Sequence, residues 1–227
     1  VHNVYGGARM APIFGTNGIE FTSTNTQVQG MNITSTIKIK GDVYASNDIA
    51  NLTSAANSFN GSVIVGGKPE IEGNIFGGGN GDYDYVGSNV YVKGHSGEAA
   101  YLVATLCDNY GAPTVNTGYV EIAMERDGVI GGDVFGGGNA ADVLTSTQVK
   151  ISSGNLADAT VYGGCNKSNV GGTATVNLTA GGNATVGTIY GGNNISGTIS
   201  GDIAVNLNGS TVTGNVFAGS NGDYGCN

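Results

Sequence analysis

Short segments in which apolar and polar residues alternate recur along most of the chain. The clearest are residues 174–179 and 203–208, where alternate positions are apolar. Comparable segments lie at residues 63–65, 90–92, 120–124 and 149–151. Alternation with a period of two, bounded by Gly, Asn, Asp and Ser, is typical of half-buried strands, and helical spacing is absent. The pattern predicts an all-β protein.

A second pattern separates these segments: Val or Ile, then Tyr or Phe, then two small residues and, two positions later, an Asn. It occurs at residues 75–80, 134–139, 161–166, 189–194 and 216–221, with weaker copies at 4–7 and 43–47. The aromatic residues of the later copies, Phe135, Tyr162, Tyr190 and Phe217, are 27, 28 and 27 residues apart. The 59 residues from Phe76 to Phe135 are close to two such periods. A fixed period of this length predicts stacked repeats.

A repeat of about 27 residues with two or three short strands is too small to bury its own apolar side. It must stack on its neighbours, each coil adding about 4.8 Å along the axis. The sequence therefore predicts a single parallel β-solenoid domain over residues 1–227, with about eight coils of 27–28 residues. Residues 61–94 are interpreted as one regular coil. The pattern lapses near 19–32, where an insertion is expected, and near 98–117, which is interpreted as a divergent coil, a laterally packed loop or a short helix.

The glycines and asparagines fit such a stack. Gly and Asn tolerate the positive φ that tight corners require, and stacked corners leave little room for side chains. Equivalent Asn side chains one coil apart are expected to hydrogen-bond along the axis.

The orientation of the repeated aromatic residues stays open at this level. In a regular strand, Val or Ile would point inward and the aromatic ring outward, whereas a corner would allow the rings to stack inside. The outward alternative gives a row of exposed rings on which sugar faces could stack. This candidate interaction surface consists of Tyr44, Phe76, Phe135, Tyr162, Tyr190 and Phe217.

Composition narrows the classes of partner. The 227 residues include 42 Gly and 3 Pro, and 8 Lys and Arg against 17 Asp and Glu give a net charge of −9. An acidic surface without a basic cluster argues against binding to nucleic acid or anionic lipid. No apolar run is long enough to span a membrane, and no secretory leader is recognisable. Because the chain opens inside one copy of the motif and stops after another, we expect it to be a piece of a longer protein, with signals and anchors outside it.

No constellation of reactive side chains emerges. Cys107, Cys165 and Cys226 are too few and too scattered for a disulfide framework or a zinc site, and Cys165 is interpreted as a small turn residue. The alternating oxygens of residues 80–84 are compatible with Ca²⁺, but a solvated turn is the preferred interpretation. His2 and His95 are far apart in sequence. The acids that could serve a polysaccharide-cleaving enzyme are dispersed: Glu70, Glu72, Asp82, Asp84, Glu121, Glu125 and Asp127. No enzyme, catalytic residue, cofactor or metal is predicted.

The copies of the motif at residues 4–11 (VYGGARMA) and 189–197 (IYGGNNISG), together with the Phe-Gly-Gly-Gly-Asn copies, resemble the glycine-rich repeats of large, secreted, adhesin-like cell-surface proteins of anaerobic gut bacteria. The resemblance covers nearly the whole chain and implies a right-handed β-helix that forms a stalk or fibre outside the cell. It identifies a repeat type and carries over no binding residue.

The leading hypothesis is a non-enzymatic, extracellular structural module. Unprotected strand edges at both ends predict that it stacks end to end with flanking repeats or with copies of itself, as in a filament. The second hypothesis is an adhesin that binds glycans or a host surface through the exposed aromatic row. A polysaccharide-cleaving β-helix enzyme is the third.

Overall fold

The computed structural model describes residues 1–7, 9, 28–33, 36–52, 60–106 and 110–222. Within these residues the chain is built of strands, apart from a 3-10 helix at Ala99–Tyr101. The strands are β1 (Val4–Tyr5), β2 (Val28–Ile33), β3 (Lys38–Ile39), β4 (Val43–Tyr44), β5 (Asn51–Leu52), β6 (Asn60–Gly67), β7 (Glu70–Ile71), β8 (Ile75–Phe76), β9 (Tyr83–Val86), β10 (Asn89–Val92), β11 (Leu102–Thr105), β12 (Tyr110–Gly111), β13 (Thr117–Met124), β14 (Val129–Ile130), β15 (Val134–Phe135), β16 (Thr147–Ser153), β17 (Asn155–Tyr162), β18 (Ala174–Leu178), β19 (Thr185–Tyr190), β20 (Ile203–Leu207), β21 (Thr211–Val212) and β22 (Val216–Phe217).

The longest strands form one parallel sheet in the order β2-β6-β13-β16-β18-β20. Equivalent residues of successive coils are paired, so that Val120 lies beside Val63 on one side and beside Val149 on the other. Buried and partly exposed residues alternate along β13 and β16, as the sequence pattern predicts. The apolar half of each strand therefore faces the interior.

The short strands form the second, larger sheet. In one of its rows β1, β4, β8, β15, β17, β19 and β22 follow one another, and in the other β3, β7, β14, β17, β19 and β21. A third line of single parallel bridges joins Val115, Val143, Val170 and Ile199. The chain thus passes through the same positions once per coil, which confirms the predicted parallel β-solenoid. It makes about six turns, fewer than the eight expected.

One coil of this difference arises between Phe76 and Phe135, which were expected to be two coils apart. β8 and β15 pair directly, with Phe76 beside Phe135, so the 59 residues between them make a single coil. The extra residues leave the stack after Gly81 and return to it at Val115. Sequence periodicity alone does not distinguish a long excursion from a second coil, because 59 is close to twice 27.

The excursion carries a separate antiparallel sheet, here called the side sheet, in the order β11-β10-β9. Residues 61–94 are therefore not one regular coil, because β10 pairs with β9 and β11 rather than with a neighbouring coil. The described residues between 98 and 117 contain the 3-10 helix, β11 and β12, and they rejoin the solenoid at the Val115 bridge, just before β13 begins at Thr117. The inner face of the side sheet includes Tyr85 and Val90 and packs against Ile49.

The insertion expected near residues 19–32 is placed only in part. Residues 28–32 belong to β2, a regular member of the long-strand sheet, so they are not an insertion. Residues 19–27 lie outside the described part of the chain.

Several glycines are required by the contact between coils. A Cβ atom on Gly136 would lie 2.3 Å from the carbonyl oxygen of Gly163, and one on Gly163 would lie 2.1 Å from that of Gly191. Gly77 meets Gly136 in the same way, at 2.3 Å. None of these glycines has a positive φ, so close approach, rather than backbone conformation, is the reason for glycine here. Positive φ occurs at other glycines, for example Gly154 at 129°.

Candidate functional site

The repeated aromatic residues form a continuous stack, the aromatic ladder, which consists of Tyr5, Tyr44, Phe76, Phe135, Tyr162, Tyr190 and Phe217. Neighbouring ring centroids are 4.7–5.3 Å apart and the ring planes differ by at most 12°. This spacing is the distance between adjacent strands. Each ring therefore stacks on the ring of the next coil.

The inner alternative is correct for the middle of this ladder. Tyr44, Phe76, Phe135 and Tyr162 are between 1% and 5% exposed, Tyr190 is partly buried, and Phe217 in the last coil is 43% exposed. The four buried residues of the candidate interaction surface offer no ring face to a ligand, because both faces are covered by neighbouring rings. The basis on which glycan binding was predicted is thereby removed for these residues.

The reason lies in the short strand that carries each ring. Val134 belongs to the main core, whereas Phe135 belongs to a second buried cluster formed by the aromatic ladder alone. Two consecutive residues are thus buried on opposite sides of the chain. Strict alternation of inside and outside holds only where one face of a strand meets water. The alternation argument fails here because the motif is buried on both faces.

The residues four positions after each aromatic residue form a second array along the axis, here called the Asn ladder. The Nδ2 atom of each Asn donates a hydrogen bond to the Oδ1 atom of the Asn one coil earlier, over 2.7–2.9 Å. The first Asn, Asn80, donates instead to Oδ1 of Asp48 over 2.8 Å. The members are Asp48, Asn80, Asn139, Asn166, Asn194 and Asn221. The predicted stacking of Asn amides is confirmed, and all of these bonds point in the same direction along the axis.

The first position of the Asn ladder is a buried carboxylate. Asp48 is 5% exposed, and both of its oxygens accept a hydrogen bond from the hydroxyl of Tyr83 over 3.1 Å. Arg9 lies 3.7 Å from it. Burial, with a contribution from Asp48, raises the pKa of Tyr83, which keeps this donor protonated. Sequence reasoning missed this cluster, although Asp48 follows the degenerate Val43-Tyr44 copy at the position where the other copies have Asn.

The acidic residues considered as catalytic candidates form ion pairs with lysine. They are distributed among five lysines: Glu70 and Glu72 with Lys38, Glu125 and Asp127 with Lys68, Asp84 with Lys93, Glu121 with Lys150, and Asp82 with Lys167. Most of these groups are well exposed, so the pairs contribute little to stability. A shallow groove of about 360 Å³ is lined by two of these lysines, Lys38 and Lys68, together with Glu70 and Asp127.

Glu121 illustrates the local electrostatics. Partial burial tends to raise the pKa of its carboxyl group, but hydrogen bonds from Lys150 and Tyr119 outweigh this effect and lower the pKa. A carboxyl group with a lowered pKa is a poor general acid at neutral pH. Its role is to bind the lysine of the next coil.

The alternating oxygens of residues 80–84 bond to separate partners. The Asn80 amide is part of the Asn ladder, Asp82 contacts Lys167 over 2.8 Å, and Asp84 accepts a hydrogen bond from the backbone of Gly94. Within the described residues, no three His, Cys, Asp or Glu side chains converge as they would around a metal ion. The similar turn at 221–224 is described only as far as Gly222.

Cys165 is fully buried with a free thiol, and Cys107 and Cys226 lie outside the described residues. Burial raises the pKa of the Cys165 thiol to about 11.

His95 stacks on Tyr101 in the excursion, with ring centroids 3.9 Å apart. The described residues contain no helix with the length and hydrophobicity needed to span a membrane.

The chain matches no protein-family model, and comparisons with curated proteins and with solved structures find no similar protein.

Proposed function

We propose that the chain is a non-enzymatic structural module, a β-solenoid stalk or fibre segment of an adhesin-like protein on the outside of a bacterial cell. The observation that carries the proposal is the continuity of contacts along the axis. The aromatic ladder, the Asn ladder and the glycine backbones each join one coil to the next. The motif residues that seemed available for binding serve these contacts.

A rod of this kind has the properties of a spacer. Six ring-to-ring steps of about 4.8 Å give an axial length of roughly 29 Å from Tyr5 to Phe217. The contacts are periodic and dense, and each coil packs mainly against the coils next to it, as in other solenoids. Length can therefore be added without changing the design of a coil.

The face of the last coil supports the end-to-end stacking that we include in the proposal. Leu207, Val216 and Phe217 are 50%, 39% and 43% exposed, whereas their counterparts in earlier coils, such as Leu178 and Val134, are fully buried. The internal contacts between coils are a template for what fits this face: a parallel strand with an aromatic ring over Phe217. Flanking repeats or another copy of the chain would supply it.

Two measurements test the proposal. Small-angle scattering of the whole chain should give particles whose longest dimension increases as concentration rises, and electron microscopy should show assemblies that grow along the rod axis. Phe217→Asp should abolish the assemblies. Val86→Asp, which changes a side-sheet residue that is 53% exposed, should leave them unchanged.

Contrary results separate the two parts of the proposal. Particles whose longest dimension does not change with concentration would contradict the end-to-end stacking. Assemblies equally sensitive to both substitutions would show that the end face is not the joining surface, and release of oligosaccharides from a polysaccharide would contradict the non-enzymatic assignment.

A further inference from the structure

Four Asn-Gly pairs lie in the described residues, at Asn60, Asn80, Asn208 and Asn221. A fifth, Asn17-Gly18, lies outside them. Asn followed by Gly is the sequence most prone to spontaneous deamidation, because the unhindered backbone nitrogen of Gly can attack the Asn side chain. The reaction needs a mobile side-chain amide and a backbone nitrogen that is free to approach it. The structure distinguishes the four pairs on both requirements.

Asn80 and Asn221 are held in the Asn ladder by their side-chain nitrogens. The backbone nitrogens that follow them are also engaged, since Gly81 donates to the carbonyl oxygen of Asp48 over 2.9 Å and Gly222 to that of Asn194 over 2.7 Å. In both pairs the attacking atom and its target are therefore fixed in place.

Asn60 is restrained in a different way. Its Oδ1 atom accepts hydrogen bonds from Thr117 over 2.8 Å and from Asn116 over 3.2 Å. Gly61 lies in β6, which is paired on both sides by β2 and β13. Extended backbone in the middle of a sheet cannot fold back on the preceding side chain.

Asn208 lacks these restraints. It is exposed, it lies in the turn between β20 and β21, and its side chain makes no hydrogen bond within the described residues. The backbone nitrogen of Gly209 likewise has no hydrogen-bond acceptor there. Among the described residues, the only backbone hydrogen bond of Asn208 runs from its own nitrogen to the carbonyl oxygen of Leu178, over 3.1 Å.

We propose that Asn208-Gly209 is a self-modification site, at which the folded protein converts an amide into a carboxylate. The Gly209 nitrogen attacks Cγ of Asn208, a bond forms between them, the Cγ–Nδ2 bond breaks, and ammonia leaves with the amide proton. Water then opens the resulting cyclic imide to aspartate or isoaspartate. No oxidant or enzyme is needed. The product adds one negative charge to a chain of net charge −9.

The folded chain itself provides the test. It is incubated at pH 8 and 37 °C in water enriched in oxygen-18, and deamidation at each site is measured over time by peptide mapping with mass spectrometry. Restraint by hydrogen bonds reduces the open population at Asn60, Asn80 and Asn221, so Asn208 should react at least roughly tenfold faster than each of them. Isoaspartate at position 208 is confirmed by enzymatic carboxyl methylation with labelled S-adenosylmethionine.

The same chain in concentrated urea is the control, because unfolding should bring the four rates within about threefold of one another. Asn208→Gln should remove the early product without changing the other three sites. A folded-state rate at Asn208 within tenfold of any of the other three would overturn the proposal. So would a tenfold advantage of Asn208 over the other three sites that persists in urea.

Discussion

Adding a single methyl group to Gly136 tests the central claim of the structure, that one coil lies directly on the next. Its Cβ would lie 2.3 Å from the carbonyl oxygen of Gly163 and 3.2 Å from Cβ of Thr147. The nearer contact is with backbone, which cannot rotate away as a side-chain end can. The coils around Gly136→Ala must therefore separate locally, which weakens the backbone hydrogen bonds between them.

The cost should be that of overpacking a dense interior, about 1–3 kcal/mol. The chain itself shows that this cost is limited, because Ala45 occupies the position equivalent to Gly136 two coils earlier and is fully buried. A methyl group is therefore tolerated where the neighbouring coil has adjusted, and complete unfolding is not expected.

Gly131→Ala is the matched control. Gly131 lies in the same coil, its φ is not positive, and its nearest neighbours would be 3.8 and 4.0 Å from an added Cβ. Here the substitution should stabilise the chain by about 0.4–1 kcal/mol through the unfolded state. Urea titrations followed by far-ultraviolet circular dichroism should thus separate the two variants by roughly 1.5–4 kcal/mol. Equal stabilities, or a less stable Gly131→Ala, would refute the direct stacking of coils at Gly136.

Three further predictions concern polar and titratable groups. Asn166→Asp removes the donor to Asn139 and sets a carboxylate against its Oδ1 atom, so it should destabilise by about 1–3 kcal/mol in urea titrations, whereas exposed Asn183→Asp should change stability by less than about 0.5 kcal/mol. The thiol of Cys165, buried and with its pKa raised to about 11, should resist alkylation at pH 8 until the chain is unfolded, and fast labelling of the folded chain would contradict its burial. Burial raises the pKa of Tyr5 and of Tyr162 to about 12. Because the folded state holds these protons more tightly than the unfolded state, the contribution of the two tyrosines to stability should be constant below pH 10. Stability should therefore fall as the pH rises from 10 to 12, as measured by urea titration at each pH.

Much of the fold was predictable because like positions in successive coils are also neighbours in space. The spacing from Phe135 to Phe217 predicted the stacking, and the content of Gly and Asn predicted the close backbone contacts and the amide ladder. These inferences required only the repeat and the strand spacing.

The parts that were not predicted depend on contacts that break the repeat. The side sheet pairs antiparallel within one excursion, so its strands, including residues 90–92, looked like solenoid strands in the sequence. The cluster around Asp48 unites Tyr83 with the first coils, across 35 residues that do not follow the period. No spacing rule links such residues.

One regularity within the motif shows how the choice of residue in one coil constrains the next. Positions in each coil are counted from the aromatic residue, so that Gly137 is the second residue after Phe135 and Cys165 is the third residue after Tyr162. The side chain of the third residue in one coil lies against the second residue of the coil before it. A Cβ on that second residue would lie 2.0–2.3 Å from the third side chain of the following coil in four cases: Gly7 with Asn47, Gly137 with Cys165, Gly164 with Asn193 and Gly192 with Ser220.

The third residue can therefore vary among Gly, Cys, Asn and Ser, provided that the second residue of the preceding coil is Gly. Ser46 is not Gly, but it fits the same steric argument. It is a second residue with a side chain, and the third residue of the coil paired with it is Gly79, which has none. Cys165 thus fills the space above Gly137, as a small turn residue would, and neither residue is free to change without the other.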